Sequence, residues 1–165
     1  MEPAPLPLPP GLLTIEELAE ACRSHRAAGE RLVFTNGCFD LLHAGHALYL
    51  AEARGLGDRL IVGLNSDRST RALKGGSRPF VGERARAILL LALRAVDYVC
   101  LFDEPTPEAL IRAVAPDVLC KGGDYRSEDI VGRDFVLGRG GRVEVIPFVS
   151  GFSTTQLVSR IRGGD

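Results

Sequence analysis

Residues 31–46 are RLVFTNGCFDLLHAGH, a stretch that joins an apolar run to a pair of histidines. The run at 31–36 is bounded by Gly37, which predicts a buried strand. The segment 43–54, which starts at the first histidine, predicts a helix that ends at Gly55. The stretch therefore predicts the first strand–loop–helix unit of an α/β protein.

The same alternation of strands and helices continues along the chain. Further strands are predicted at 59–64, 98–102, 117–120 and 142–147. Further helices are predicted at 14 to about 29, 83–95, from 106–108 onward, in a short segment near 127–137, and at 153–161. Strands separated by helices form right-handed βαβ units. The predicted fold class is therefore α/β, with a doubly wound parallel five-stranded sheet in three α/β/α layers.

The amino-terminal segment differs in composition from the rest of the chain. Residues 1–13 begin MEPAPLPLPPG, which predicts an extended, poorly ordered Pro-rich tail and does not resemble a secretory signal. Thr14 and Glu17 fit a capping box, so the folded part is predicted to start there. Residues 14–165 have the size of one domain.

Composition narrows the classes of partner. The formal charge is -1, from 20 Lys+Arg against 21 Asp+Glu, so the chain lacks the excess of basic residues typical of proteins that bind nucleic acid. No apolar run approaches the ~20 residues that a membrane span needs. The four cysteines have no CxxC spacing, so they predict buried, reduced thiols in a cytoplasmic protein rather than a zinc site.

Segments rich in Gly and polar residues follow the predicted strands. In a doubly wound sheet, ligands bind beyond the carboxyl ends of the strands, where these segments meet. The sequence therefore predicts one convergent site. No GxxxxGK[ST] loop is present, and no GxGxxG follows the first strand, which excludes a Walker-type ATPase and disfavours a dinucleotide-binding dehydrogenase. The segments are 36–40, 65–67, 103–104, 121–125 and 149–155.

The two histidines of the opening stretch are the strongest candidates for binding an anion. His43 and His46 are three positions apart, so a helix places both imidazoles on one face near its amino terminus. Gly45 removes a side chain between them, which would let a polyphosphate approach the backbone. A single histidine at a helix start is more often a packed or capping residue. Two of the chain's three histidines at this spacing favour the binding site.

Six segments occur in this order along the chain: TNGCFDLLHAGH (35–46), LGDRLIVGLNSD (56–67), LKGGSRP (73–79), RAVDYV (94–99), KGGDY (121–125) and FSTT (152–155). Together they resemble the HxGH nucleotidyltransferase superfamily, a Rossmann-like family that includes cytidylyltransferases. Within it, the chain resembles the adenylyltransferase domains of ADP-heptose synthases. One departure is Phe152, where related enzymes often carry a small polar residue or Cys.

The resemblance implies transfer of AMP from ATP to D-glycero-β-D-manno-heptose 1-phosphate, giving ADP-heptose, a lipopolysaccharide precursor, and pyrophosphate. It also implies Mg²⁺ held mainly by ATP phosphates and water, no protein metal ligands, and a possible homodimer. Relatives are often fused to a sugar kinase, for which 165 residues leave no room, so a stand-alone transferase is expected.

This reaction brings one anion onto another, so it requires positioning and positive charge rather than a general base. The predicted catalytic residues are His43, His46 and Lys74. Lys74 lies in a glycine-bordered loop and could instead be a solvated surface lysine. Arg84 could instead pair with a carboxylate. The residues predicted to bind the substrate phosphate are Lys74, Arg78, Arg84 and Tyr125.

The predicted nucleotide-binding residues fall in four of the polar segments and at the histidine pair. They are Asn36, Gly37, Cys38, Phe39, Asp40, Gly45, Lys121, Gly122, Asp124, Phe152, Ser153, Thr154 and Thr155. Ser153, Thr154 and Thr155 could equally cap a helix.

Three alternative functions remain open. One is a cytidylyltransferase acting on glycerol 3-phosphate or a similar alcohol phosphate. Another is a non-catalytic nucleotide-sensing module. A tRNA synthetase fragment shares a similar histidine motif but is disfavoured by the short chain and the lack of a basic surface.

Overall fold

The computed structural model describes residues 7–123 and 125–163. Within these residues the strands are β1 (Leu32–Gly37), β2 (Arg59–Asn65), β3 (Tyr98–Phe102), β4 (Val118–Gly122) and β5 (Arg142–Ile146). The helices are α1 (Ile15–Ala27), α2 (Ala44–Arg54), α3 (Asp67–Lys74), α4 (Glu83–Leu91), α5 (Glu108–Val114), α6 (Arg133–Gly138) and α7 (Thr154–Ile161), with a 3-10 turn at Ser127–Asp129.

The five strands form one parallel sheet in the order β3-β2-β1-β4-β5. The chain builds outward from β1 through β2 to β3, and then returns to the other side of β1 for β4 and β5. The loops after β1 and β4 therefore diverge over opposite halves of the sheet, which opens a crevice at the carboxyl ends of these strands. The predicted doubly wound parallel sheet is confirmed.

Helices cover both faces of the sheet. Successive side chains of a strand point to opposite faces, so Val33 packs in one apolar cluster and Phe34 in the other. The first cluster includes Leu50 of α2 and Leu90 of α4. The second includes side chains of α1, α5 and α6, among them Leu18. The three-layer arrangement that the sequence predicts is therefore present.

The start of α1 follows the predicted capping box. Thr14 Oγ1 accepts a hydrogen bond from the Glu17 backbone N–H (3.2 Å), and the Thr14 N–H donates to the Glu17 carboxylate (2.9 Å). Ahead of this cap, the Val99 N–H donates to Gly11 O (2.9 Å) and the Leu13 N–H donates to Val99 O (3.0 Å). These residues belong to the predicted tail, and the structure holds them along the edge strand β3.

The helix α3 was not predicted from the sequence. Lys74, predicted to lie in a loop, is instead the last residue of this helix, and the glycine-bordered segment begins after it. The helix starts at Ser66, whose hydroxyl accepts a hydrogen bond from the Ser69 N–H (3.0 Å). Its sequence, DRSTRALK, has little apolar content. The periodicity of buried apolar residues, which is the main helix signal, is therefore absent.

The predicted helix at 83–95 is also shorter in the structure. It ends at Leu91, and turns closed by hydrogen bonds from Leu93 to Leu90 and from Val96 to Leu93 complete the segment. Apolar residues in those turns continue the core pattern, so burial alone does not mark the end of the helix.

No helix among residues 7–123 and 125–163 combines the length and the apolarity that crossing a bilayer demands.

Candidate active site

A cleft of about 520 Å³ opens at the carboxyl ends of the strands. Its floor is formed by the last residues of four strands, and its walls come from the segments that follow them. Residues far apart in the sequence meet there because parallel strands end at the same edge. The predicted site residues that line the cleft are Asn36, Gly37, Cys38, Phe39, His46, Lys74, Lys121, Gly122 and Tyr125.

The two histidines of the HxGH segment stack on each other at the start of α2. Their ring centroids are 3.8 Å apart and their planes differ by 21°. His43 is the N-cap residue of the helix, and His46 lies in its first turn. His46 lines the cleft, and His43 supports it from behind. The pairing that the three-residue spacing predicts is therefore present in the fold.

A hydrogen bond orients the His46 ring. The backbone N–H of His43 donates to His46 Nδ1 over 3.4 Å. A neutral imidazole with Nδ1 as acceptor carries its proton on Nε2. The edge of the ring also meets Phe39, with centroids 5.4 Å apart. These contacts present His46 as a neutral Nε2–H donor at the cleft.

Both histidines are harder to protonate than a free imidazole. Burial lowers the pKa of His43 below its ordinary value. Burial, with smaller contributions from His43 and the Lys74 ammonium, lowers the pKa of His46 to about 4. At neutral pH the pair is therefore uncharged in the free protein. It offers hydrogen-bond donors, and the positive charge of the cleft comes from lysines.

Gly45 allows close packing around the pair. A Cβ at this position would lie 2.9 Å from Phe152 Cβ and 3.0 Å from His43 Cε1. The space that the missing side chain vacates is thus taken by protein atoms. Gly45 lets His43 and Phe152 pack closely against the start of α2, whereas the sequence predicted that it would open the backbone to a ligand.

Lys74 brings a cation to the cleft from the β2 side of the sheet. It lies at the carboxyl-terminal end of α3, is exposed, and lines the cleft with Leu73. Within the described part of the chain it forms no ion pair. Its ammonium is therefore free to meet an incoming anion.

Lys121 brings a second cation from the other side of β1. Its Nζ donates to Asn36 Oδ1 over 2.8 Å, which links β4 to β1 at the switch point. The same ammonium lies 5.5 Å from the centre of the Tyr125 ring. Burial lowers the pKa of Lys121. Lys74 and Lys121 thus flank the cleft from opposite halves of the sheet.

Asp40 and Arg78 form a support behind the cleft. Asp40 is buried and accepts hydrogen bonds from the N–H groups of Phe80 (3.0 Å) and Val81 (3.1 Å). It also accepts one from Arg78 Nη1 (2.9 Å). Burial raises the pKa of Asp40, but these hydrogen bonds outweigh it and leave the pKa below its ordinary value. Asp40 fixes the loop, and part of the Arg78 guanidinium is committed to it.

Arg84 does not lie in the cleft. It lines a neighbouring cavity of about 810 Å³ beside α1 and β3, which shares with the cleft the wall made by Phe102, Thr106 and Pro107. The prediction that Arg84 joins Lys74 at the substrate phosphate is therefore not supported, because the two side chains line different cavities.

The FSTT segment lies at the start of α7. Ser153 Oγ accepts a hydrogen bond from the Gln156 N–H (3.1 Å), so the capping alternative holds for Ser153. Thr154 Oγ1 donates to Asp40 O (3.0 Å), which ties α7 to the loop after β1. Thr155 is exposed at the same helix start. None of the residues 152–155 lines the cleft, and Phe152 packs against Gly45 between the two histidines. Asp124 lies outside the described residues.

Arg86 is a buried side chain that joins several segments of the site, and its role was not predicted from the sequence. It is 1% exposed and donates from Nη1 to Cys38 O (2.6 Å) and Asn65 O (2.8 Å). Its Nε donates to Val81 O (2.8 Å), and its Nη2 to Asp67 (2.8 Å). An arginine in a helix is usually exposed, so its position gave no signal of this role. Arg86 joins the loop after β1, the start of α3 and the segment before α4.

Comparisons with known proteins agree on one family. The model of the cytidylyltransferase-like family matches residues 34–159. The bifunctional protein HldE of Trichlorobacter lovleyi is 57% identical over 146 residues, 88% of this chain and 30% of that protein. HldE of Geotalea uraniireducens is 54% identical over 150 residues, 91% of this chain and 31% of that protein. The chain thus spans about a third of the length of these relatives.

The chain is also similar to solved structures. Among them is the lipopolysaccharide core biosynthesis protein from Thermoplasma volcanium GSS1, which is 30% identical, with a TM-score of 0.59. The match covers 73% of this chain and 98% of that one.

Proposed function

The chain belongs to the cytidylyltransferase-like family, and from this premise we propose that it transfers AMP from ATP to D-glycero-β-D-manno-heptose 1-phosphate. A phosphate oxygen of the sugar attacks the α-phosphorus of ATP. The bond from that phosphorus to the bridging oxygen breaks, and pyrophosphate leaves as ADP-heptose forms. The observation that carries the proposal is the convergence of His46, Lys74 and Lys121 on one cleft.

The chemistry fits a cleft with cations and neutral donors. A phosphate monoester has its second pKa near ~6, so the nucleophile is mostly ionised at neutral pH and needs no general base. The barrier is the repulsion between two anions, which fixed positive charge and oriented donors reduce. Asp129 is the one carboxylate among the described residues that line the cleft.

The residues proposed to meet the phosphates have distinct roles in this scheme. His46 donates its Nε2–H to a phosphate oxygen near the α-phosphorus, and the stacked His43 holds its ring in place. Lys74 bridges the α-phosphate and the sugar phosphate. The remaining N–H groups of Arg78, and Tyr125, assist at the sugar phosphate. The first N–H groups of α7, with Ser153 and Thr155, are assigned to outer phosphates that extend beyond the wall of the cleft.

The nucleotide is bound through the floor of the cleft. The backbone of Gly37, Cys38 and Phe39, at the end of β1, contacts the nucleotide in this proposal. The hydrogen bond between Lys121 and Asn36 joins β4 to β1 beneath it. Asp124 and Gly122 belong to the same proposed nucleotide site.

Mg²⁺ is proposed to enter with ATP. Among the described residues, no group of three or more His, Cys, Asp or Glu side chains is placed to hold a metal. The ion is proposed to be held by phosphate oxygens and water, and it neutralises and orients the phosphates. No protein residue is assigned to it.

The heptose acceptor is favoured by the KGGDY and LKGGSRP segments and by the identity to HldE proteins. The lipopolysaccharide core biosynthesis protein that shares the fold points in the same direction. A cytoplasmic location and a homodimer are proposed on the same resemblance.

The test is pyrophosphate release measured with ATP or CTP against heptose 1-phosphate and glycerol 3-phosphate. We expect turnover with ATP and heptose 1-phosphate. Turnover with CTP alone would favour a cytidylyltransferase. Nucleotide binding without turnover on any acceptor would favour the nucleotide-sensing alternative.

A variant separates catalysis from folding. His43→Ala is expected to lower kcat by about 100-fold or more, with a smaller loss of ATP affinity. The chain's third histidine, His25, is a matched control, because it bonds Glu30 and Tyr98 away from the cleft. His25→Ala should leave kcat unchanged in the folded protein. Unchanged turnover in His43→Ala would refute its proposed role.

A further inference from the structure

One large aromatic side chain in the cleft has no role in the scheme above. Phe148 follows β5, lines the cleft, and is 70% exposed. Phenylalanine is among the residues most often buried, because leaving its ring in water forfeits the gain from burial. A ring this exposed at the wall of a ligand cleft is therefore placed where a ligand could cover it.

Glycine backbone supports one side of this ring. A Cβ on Gly122 would lie 3.2 Å from Phe148 Cε1, and a side chain on Gly123 would collide with the ring. Gly123 also has φ +105°, a conformation that favours glycine. Its N–H donates to Ile146 O over 2.9 Å, which fixes the two segments together. The ring is thus backed by a firm surface while most of it stays open.

Phe148 and Lys74 lie on opposite sides of the cleft. Phe148 packs against Gly122 at the end of β4, and Lys74 is the last residue of α3, which follows β2. A nucleobase stacks on an aromatic ring, and an ammonium pairs with a phosphate. The base therefore suits the Phe148 side, and the sugar phosphate suits the Lys74 side.

We propose that Phe148 is the platform on which the nucleobase stacks, and that it favours a purine over a pyrimidine. This inference rests on the proposed function and identifies how its nucleotide is selected. Stacking on an aromatic ring holds any base, and its strength grows with the area that overlaps. Adenine has two fused rings and cytosine has one, so adenine gains more from the same platform.

The experiment compares three ligands on one variant. Kd for ATP, CTP and inorganic tripolyphosphate is measured by calorimetry, with Mg²⁺ present, for the intact chain and for Phe148→Ala. We expect Kd for ATP to rise about tenfold or more, Kd for CTP to rise less, and Kd for tripolyphosphate to stay unchanged. Phe148→Tyr should keep most of the affinity for ATP.

A matched control removes an exposed apolar side chain elsewhere. Leu137 on α6 is 40% exposed and does not line the cleft, so Leu137→Ala should bind all three ligands normally. If the intact chain binds ATP and Phe148→Ala binds it equally well, the inference is overturned and the proposed function stands. Equal loss of ATP and tripolyphosphate would mean that Phe148 shapes the loop, which also overturns stacking. If the intact chain binds no nucleotide, the proposed function itself fails.

Discussion

At the scale of single residues, the site depends on two imidazoles that stay neutral. Burial disfavours a charge on either ring, and at His46 the His43 ring stacked 3.8 Å away adds to this effect. His46 therefore acts in the free protein as an oriented donor, held by the His43 N–H on Nδ1. Fixed donors need no reorganisation when charge develops, which is how such groups lower a barrier.

The low pKa of His46 predicts how stability depends on pH. Burial lowers it to about 4, below its ordinary value of 6.5, so the unfolded chain binds the proton more readily. The free energy of unfolding is therefore unaffected by His46 above pH ~6.5, and it decreases as the pH drops toward ~4. Urea unfolding between pH 6.5 and 5 should show a loss of about 1–2 kcal/mol that His46→Gln reduces. Equal pH dependence in both proteins would contradict the assignment.

Gly45 predicts a second effect at the residue scale. In Gly45→Ala the new methyl would meet Phe152 and the His43 ring at 2.9 and 3.0 Å, so the ring must shift from its stack. We expect kcat to fall about tenfold or more, with stability changed by less than about 1 kcal/mol because alanine favours the helix.

Gly138→Ala is the control for that substitution. Gly138 ends α6, and a Cβ there would have no neighbour within 4 Å. Pyrophosphate release should be normal in this variant. Equal activity of the two glycine variants would show that packing at Gly45 does not position His43.

At the scale of elements, a single guanidinium holds the site segments together. Arg86 of α4 bonds Cys38 after β1, Asn65 at the end of β2, and Asp67 at the start of α3. Lys74 lies at the other end of that α3 helix. The helix that carries the cation is thereby anchored to the loop that precedes the histidines. Asp40 anchors the segment before α4 in the same way.

Arg86→Met is expected to destabilise the protein by about 3–5 kcal/mol, because buried carbonyls and Asp67 lose their partner. Thermal and urea unfolding measure this loss. Arg26→Met is the control, since Arg26 donates to Val114 O (2.7 Å) and Ala115 O (2.9 Å) at the carboxyl-terminal end of α5. It should lose less stability and keep its turnover. A small loss in Arg86→Met would show that this side chain is dispensable.

At the scale of the whole molecule, the two ends of the sheet have different tasks. The carboxyl end holds the cleft. Near the amino end, Arg59 bonds Glu30 through Nε (2.9 Å) and Asp97 through Nη1 (3.2 Å). Asp97 also accepts from the Leu60 N–H (2.8 Å) and from Arg54 Nε (3.1 Å). This network ties helices and strands together away from the chemistry.

Glu30→Gln is therefore expected to lower the unfolding temperature while leaving kcat and KM unchanged. Hydrogen bonds from Arg59 lower the pKa of Glu30 to about 2 from 4.5. The stabilisation is present above pH ~4.5 and is lost as pH falls through about 2. When the unfolding temperature is measured at a series of pH values, Glu30→Gln should therefore show a smaller decrease below pH ~4.5 than the intact chain. A change in kcat would show that the two ends are coupled.

Much of the fold could be predicted because strong local signals decided it. The apolar run at 31–36 and the capping box at Thr14 each depend on nearby residues. The helix α3 was missed because its buried residues include Ser69 and Thr70, which carry no apolar periodicity.

By itself, the sequence determined the parallel α/β sheet, the paired histidines and the segments that meet at its carboxyl edge. Local periodicity and the order of elements along the chain contain that information. The tertiary structure alone decided that Asp40 takes Arg78, that Arg86 joins three segments, and that Arg84 faces another cavity. The physical reason is that a charged side chain bonds to the groups that folding brings within hydrogen-bond distance. Those groups are dozens of residues away along the sequence, so local patterns do not reveal them.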